Sequence, residues 1–231
     1  MRIFAFLLLL GSLLAPAAHA ATLKIATLAP DGTSWMKVMR QAAADIKTET
    51  EGRVKIKYFP GGVQGSDKSV LRKMRIGQLQ GGAVATGSLI NISPASQIYN
   101  LPFTFRTLEE VRAIREEFDP YIVSELAKKG YVVLGISEAG FAYMMSDEPI
   151  RTSDDARKQK VWVPEGDLIG ETTFENGGVE PISLPLSDVY TSLQTGLIDT
   201  IVVNASSAIA LQWHTKVNYV TDFPLLFLTG A

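Results

Sequence analysis

Two stretches of this 231-residue chain repeat one pattern of apolar positions and glycine, and no other feature narrows the possible folds as far. Val70, Met74, Gly77, Leu79 and Val84 in the first half correspond, at one constant spacing, to Val189, Leu193, Gly196, Ile198 and Val203 in the second. Each copy reads as a helix, a glycine that stops it, and a short apolar strand. Helix-glycine-strand units are common in α/β proteins, so five matches do not establish a duplication. With or without one, each half builds its own helix-strand layer.

The elements around these units support that division. Leu23–Leu28 is an apolar strand candidate, and Ala29-Pro30-Asp31-Gly32 is a turn that leaves Ser34 to cap a helix. In that helix Trp35, Val38, Met39, Ala42, Ala43 and Ile46 recur at steps of three and four and form one apolar face. Val54, Ile56 and Tyr58 alternate with Arg53, Lys55 and Lys57, as in a strand with one exposed side. Pro60 to Ser69 imitates a phosphate loop, but Ser66 and Asp67 intervene before Lys68, and Asp67 sets a negative charge where a phosphate would go. We read it as a glycine-rich turn with Ser66 as helix cap. Thr107 and Glu110 have capping-box spacing, and Asp119-Pro120 is expected to begin a second helical segment ending near Gly130. Tyr131–Ser137 reads as a strand buried on both sides, interrupted by Glu138-Ala139-Gly140 and resumed at Phe141. This is where the chain crosses into a second domain, with Gly140 free to absorb backbone rotation.

Beyond it the pattern alternates. Thr152 to Asp155 starts a short helix, Lys160–Val163 is a strand, Ile169–Asn176 is helical, and Pro181–Leu184 is extended. Ser187-Asp188 is placed to cap the helix 189–194, and Ala208, Leu211 and Gln212 suggest one more helix before Tyr219–Leu228 crosses back. In Lys160–Val163, Val161 and Val163 point to one side and Trp162 to the other, just before the turn Pro164 to Asp167. Strand carboxyl ends are where open α/β sheets hold ligands, so Trp162 is a candidate contact as well as a candidate core residue.

The amino terminus reads as a secretory leader. Arg2, the apolar run Ile3–Leu14, Pro16 and Ala18-His19-Ala20 imply cleavage before Ala21. The apolar run is short for a membrane span. With no cysteine there is no disulfide framework and no thiol for a lipid anchor, so a free periplasmic protein is expected. A net charge of −2 and an isoelectric point near 5.8 give no electrostatic reason to expect a nucleic-acid partner. Phe223–Leu228 is an apolar run with no covering element after it, which suggests a chain truncated relative to a complete fold.

Taken together, the exported amino terminus, Gly61–Leu71 before a helix, Leu101-Pro102-Phe103, Lys160-Val161-Trp162-Val163-Pro164, and Ser187-Asp188-Val189-Tyr190 running to Leu193-Gln194-Thr195-Gly196 and Asp199 resemble the extracytoplasmic solute receptors of TRAP transporters, the DctP-like family. The resemblance covers 22–228. It implies a periplasmic-binding-protein-like α/β fold in which two α/β domains, joined by crossing strands, close on a ligand cleft. Domain I would hold 21–138 and 223–231, and domain II 139–222. It also implies a receptor without cofactor or catalysis, which captures a small organic solute and delivers it to integral-membrane TRAP permease subunits.

The family's usual organic acid is held by an arginine where this chain has Trp162, and many members carry a second about where it has Phe141. Both changes replace a cationic fork by an aromatic plane. A buried carboxylate without such a partner costs several kcal/mol, so carboxylate capture should fail there, and the aromatic walls favour an apolar, flat or cationic solute. Where the family often has Glu-Asn, the chain has Val202 and Val203, with Asn204 as the nearby amide, and Leu186 takes a position that often lines the pocket. Gln64 and Trp35 complete the candidates, each with a bland alternative as an exposed turn residue and a packed core residue. Trp213 is expected in the core, and His214 has no partner set in view. A secreted hydrolase is the competing class, but the predicted mature chain holds only His214 and neither Gly-x-Ser-x-Gly nor His-Glu-x-x-His. A solute sensor or sequestering protein is not separated from a transport receptor by sequence.

Overall fold

The structure is a computed structural model that describes residues 20–231; all but the last residue of the leader read at 1–20 lies outside it. Strand β1 (Ala21–Thr27) runs parallel between β2 (Val54–Phe59) and β3 (Gly81–Ala83). Helix α1 (Ser34–Glu49) joins the first two strands and α2 (Asp67–Arg75) leads to the third. Beyond β3 the sheet continues through mutual backbone bonds between Val84 and Ala231 of 2.8 and 2.9 Å to β9 (Leu226–Gly230). Against β9 lies the first half of β4 (Ser137–Ser146), antiparallel, with Ser137 opposite Gly230 and Ala142 opposite Leu226.

The second half of β4 belongs to another sheet. Tyr143 to Ser146 pair antiparallel with β7 (Thr200–Val203) on one side, and Met145 and Ser146 pair with β8 (Tyr219–Val220) on the other. A parallel bridge from Val161 to Thr200 brings in β5 (Trp162–Pro164), itself parallel to β6 (Ile182–Leu184). β4 and the returning chain 219–230 are thus one long antiparallel ribbon shared by two sheets.

Separate cores lie on either side of this ribbon's midpoint, and each sheet with its core forms a lobe, the first holding β1 and the second β7. Val70, Leu71, Leu79, Tyr99, Val111, Ile122 and Leu126 pack with Phe227 under the first sheet. The second sheet is covered on both faces. Val161 and Val163 pack with Ala142, Met144 and Phe174 on one, and Trp162 packs with Trp213, Val189 and Ile198 on the other. The alternation read in Lys160–Val163 is therefore the alternation observed. The paired units also match in structure. α2 and α6 (Val189–Thr195) are followed by Gly77 and Gly196 at φ +74° and +71°, the left-handed conformation that ends a helix at little cost only in glycine.

Several local expectations are corrected. Thr33, not Ser34, caps α1, its side chain accepting from Met36 N–H at 3.3 Å. Ser66 and Asp188 stand at helix starts without side-chain cap bonds. Pro120 does not open a second segment: α3 (Leu108–Lys128) is continuous through it. The missing N–H removes one helical bond, while Val111, Ile122 and Leu126 hold a common buried face on both sides of it. The capping box of Thr107 and Glu110 is formed.

Residues 131–136 form no regular element and lie outside the sheets. Tyr131, Val133 and Ile136 pack inward, while Val132 and Leu134 are 87% and 91% exposed. Glu138-Ala139-Gly140 is not a break between strands but a bulge inside β4, with Gly140 at φ +108°. Helices α4 (Ser153–Ala156) and α5 (Leu168–Asn176) lie as read, and Ala208 lies in α7 (Ala205–Ala210), which ends before Gln212. Among the described residues no helix is long and apolar enough to cross a membrane.

Candidate functional site

The bulge in β4 is the point from which the site is built. An extra residue in one strand bends and twists the ribbon, and here it falls within the part of β4 paired to β9, three residues before Tyr143, where β4 joins the second sheet. It also turns a backbone carbonyl out of the ladder. Asn204 Nδ2 donates to that carbonyl, Ala139 O, at 2.8 Å. The same side chain caps α7, its Oδ1 accepting from Ser207 N–H at 2.7 Å and Ser206 Oγ at 3.1 Å. Asn204 is buried, so one amide ties the start of a second-lobe helix to the bulge and has both ends committed.

Beside this bond the second lobe carries a groove of about 440 Å³, walled by Tyr143 and Met145 on one face of β4, by Ala205, and by the segment from His214 to Thr221. Its lining is overwhelmingly apolar. His214 Nδ1 lies 3.2 Å from Ala208 O, a carbonyl that can only accept, so Nδ1 donates in this contact. Tyr219 and Val220 are exposed along the rim. None of these residues except His214 was singled out in the sequence. The usable signal was the odd-numbered series Phe141, Tyr143, Met145, which must share one face of a strand.

The six residues singled out are not gathered at one point. Trp162 is 3% exposed, its indole N–H donates to Leu184 O at 3.0 Å, and its ring meets Trp213 edge-on at 5.2 Å. Its one polar group is therefore spent inside the lobe. Leu186 packs against the same cluster. Phe141 is half-buried on the ribbon, edge-on to Phe227 at 5.0 Å, two residues from the carbonyl that Asn204 holds. Trp35 stands beyond the carboxyl end of β1, half-exposed, with its ring 4.0 Å from the place a side chain on Gly230 would fill. Gln64 is folded back, its Oε1 and backbone oxygen both accepting from Lys73 Nζ at 2.9 Å.

Behind the bulge the charges are paired. Glu138 accepts from Arg112 Nε at 3.2 Å and Arg115 Nη1 at 2.9 Å. The Arg112 hydrogen bond holds the Glu138 carboxyl below the usual range against the opposing effect of burial, with the charge of Arg112 and then Arg115 adding to it. Arg115 also reaches Asp119 and Ile136 O, and the Tyr99 hydroxyl donates to Asp119; burial and then that carboxylate push the Tyr99 pKa up. This network anchors α3 to the strand at the point where it bulges.

The family model described as "Bacterial extracellular solute-binding protein, family 7" matches residues 25–224. A solute-binding protein of Chromohalobacter salexigens is 30% identical over 165 residues, which are 71% of this chain and 49% of that protein. The C4-dicarboxylate-binding periplasmic protein of Rhodobacter capsulatus is 26% identical over 155 residues, 65% of this chain and 45% of its own length. The chain spans about half the length of the curated relatives it matches. Among solved structures, a TRAP periplasmic solute-binding protein of Roseobacter denitrificans with bound β-D-glucuronate superimposes with a TM-score of 0.85 at 22% identity, covering 91% of this chain and 70% of that one. Another, from Sulfurospirillum deleyianum with bound succinate, gives 0.80 at 24% identity, with 92% and 70% covered.

Proposed function

Because the chain belongs to family 7 of the bacterial extracellular solute-binding proteins, we propose that it is the receptor of a TRAP-type transporter, capturing a small organic solute outside the cytoplasmic membrane and passing it to an integral-membrane permease. The observation that carries the reading is the shared ribbon. Two cores joined by a strand pair that passes from one sheet to the other at Ala142 and Tyr143, just beyond the bulge, can rotate about that crossing, which is how a receptor closes on a small molecule. The division we propose places 21–138 and 223–231 in domain I and 139–222 in domain II.

The solute class follows from the walls. The related structures hold uronates and succinate, which are small organic acids. In this chain Trp162 stands where the family's arginine would, and its indole is bonded and packed within the lobe. The accessible surface beside the ribbon is Tyr143, Tyr219, Val220 and the imidazole of His214. A solute with an apolar or flat part suits these walls better than a compact dicarboxylate does. Trp162 then acts as support for the wall through the core it shares with Met145, and Asn204 as the tie between lobe and ribbon.

Native mass spectrometry of protein purified from periplasm identifies a retained solute. Calorimetry against succinate, glucuronate and an aromatic carboxylate ranks the classes. Tight one-to-one binding of succinate would overturn the solute class while leaving the receptor reading intact. Failure of every small organic solute to shift the melting temperature would overturn the receptor reading itself.

A further inference from the structure

Five buried side-chain oxygens lack a hydrogen-bond partner among the described residues, and they come from one small region: Asp67 Oδ1, Ser93 Oγ, Ser96 Oγ, Gln97 Oε1 and Asn100 Oδ1. Buried polar atoms are almost always partnered, and a group of orphans calls for a physical cause. Three of the five meet at one turn. Asp67 Oδ2 accepts from Ala85 N–H at 2.9 Å and Ser88 Oγ at 3.0 Å. Gln97 Nε2 donates to Gly87 O. The Asn100 side chain lies 3.6 Å from where a side chain on Gly87 would begin. Gln97 and Asn100 are three residues apart on the 3-10 helix Pro94–Asn100, and so lie on one face of it. For Asp67 and Gln97 the remaining oxygen is thus left over after the polar contacts to the Ala85–Ser88 turn are made, and Asn100 brings its amide up to the same turn.

The chemistry of the leftover atoms is uniform. They are oxygen only: one carboxylate, two amide carbonyls and two hydroxyls. Asp67 is 6% exposed, Gln97 6% and Asn100 9%, and no salt bridge involves Asp67 among the described residues. A carboxylate buried without a counter-charge needs a proton or a cation. A proton on Asp67 satisfies one acceptor and leaves the carbonyls of Gln97 and Asn100 unanswered, whereas a hard cation draws several oxygens at once. A single negative charge among neutral donors matches a monovalent ion better than calcium sites built from several carboxylates.

We propose that Asp67, Gln97 and Asn100 hold a sodium-sized monovalent cation beneath the turn that follows β3, with Ser93 and Ser96, at the start of the same 3-10 helix as Gln97 and Asn100, as further oxygen donors. The ion would clamp the start of α2 to the 3-10 turn Thr86–Leu89, whose Thr86 hydroxyl is in turn bonded to Thr229 of β9.

The test is the melting temperature of the whole chain in sodium, potassium, calcium and choline chlorides at matched ionic strength and pH. A rise with the logarithm of sodium concentration, absent in choline and lost in Asp67→Asn, supports the site. Equal melting in all four salts overturns it, as does a transition that moves only with pH, since that assigns the missing charge to a proton. Where Asp67→Asn does not fold, Asn100→Asp decides: a second carboxylate should raise the calcium response by tenfold or more in apparent affinity, and no change in ion preference sinks the assignment.

Discussion

Trp162 gives the sharpest test of how this chain departs from its relatives, because core and contact roles predict opposite outcomes on replacement by arginine. With the indole 3% exposed and its N–H bonded to Leu184 O, Trp162→Phe leaves that carbonyl without its donor, about 1 kcal/mol. The smaller ring opens a void worth a further ~1–2 kcal/mol, for a total of about 2–3 kcal/mol. Trp162→Arg forfeits roughly 2–3 kcal/mol of apolar burial and adds several kcal/mol for an ion desolvated against Trp213. That sum rivals the ~5–15 kcal/mol that holds a whole domain together. Urea unfolding followed by far-ultraviolet circular dichroism should show the Phe variant's midpoint lowered by about 1 M, given slopes of about 2–3 kcal/mol per M. The Arg variant should lose the cooperative transition of the second lobe. An Arg variant with the wild-type midpoint would refute the argument, and one that also bound succinate would put residue 162 on the cleft wall.

Asn204→Ala removes a helix cap and strands Ala139 O, so a loss of about 2–4 kcal/mol is expected in urea. Asn204→Asp keeps the cap acceptor but loses the donor to Ala139, and should unfold at least as readily if the bulge contact dominates. Gly140→Ala meets no atom within 4 Å yet must hold φ +108°, costing about 1–3 kcal/mol; stopped-flow binding should slow if closure turns on that residue. Glu138 has its pKa depressed chiefly by Arg112. Its contribution to stability is therefore complete above the unfolded carboxylate value and lost as pH falls through the folded one. The wild-type advantage over Glu138→Gln in melting temperature should shrink between pH 6 and pH 3.

Where the determinants are local, the sequence already carried them. Thr107 and Glu110 cap α3 because both partners lie within one turn, and Gly77 and Gly196 end their helices for the same short-range reason. The opposite sides taken by Val161 and Val163 and by Trp162 follow from the two-residue period alone. What the pattern left open was which side is deeper. Trp162 looked equally suited to cleft and core, and Trp213, fifty-one residues away, decides where the ring packs. Residues 131–136 looked like a strand buried on both sides because five of six are large and apolar, but sheet membership depends on a neighbour that period and propensity do not specify. Asp67 looked like an obstacle to phosphate; its partners, Ala85 and Ser88, are reached only after β3 has folded past it.

The shared ribbon also dictates an order of assembly. Ser137 and Gly230 bond across 93 residues, and closing a flexible loop of that length costs about 4 kcal/mol of chain entropy beyond a constant. If the second lobe folds first, its own contacts bring the two ends together and most of that cost disappears before β9 pairs. The first lobe begins the described chain yet needs its last strand to finish its sheet, so it should complete last. In hydrogen-exchange refolding, the amides of β7 should gain protection before those of β9.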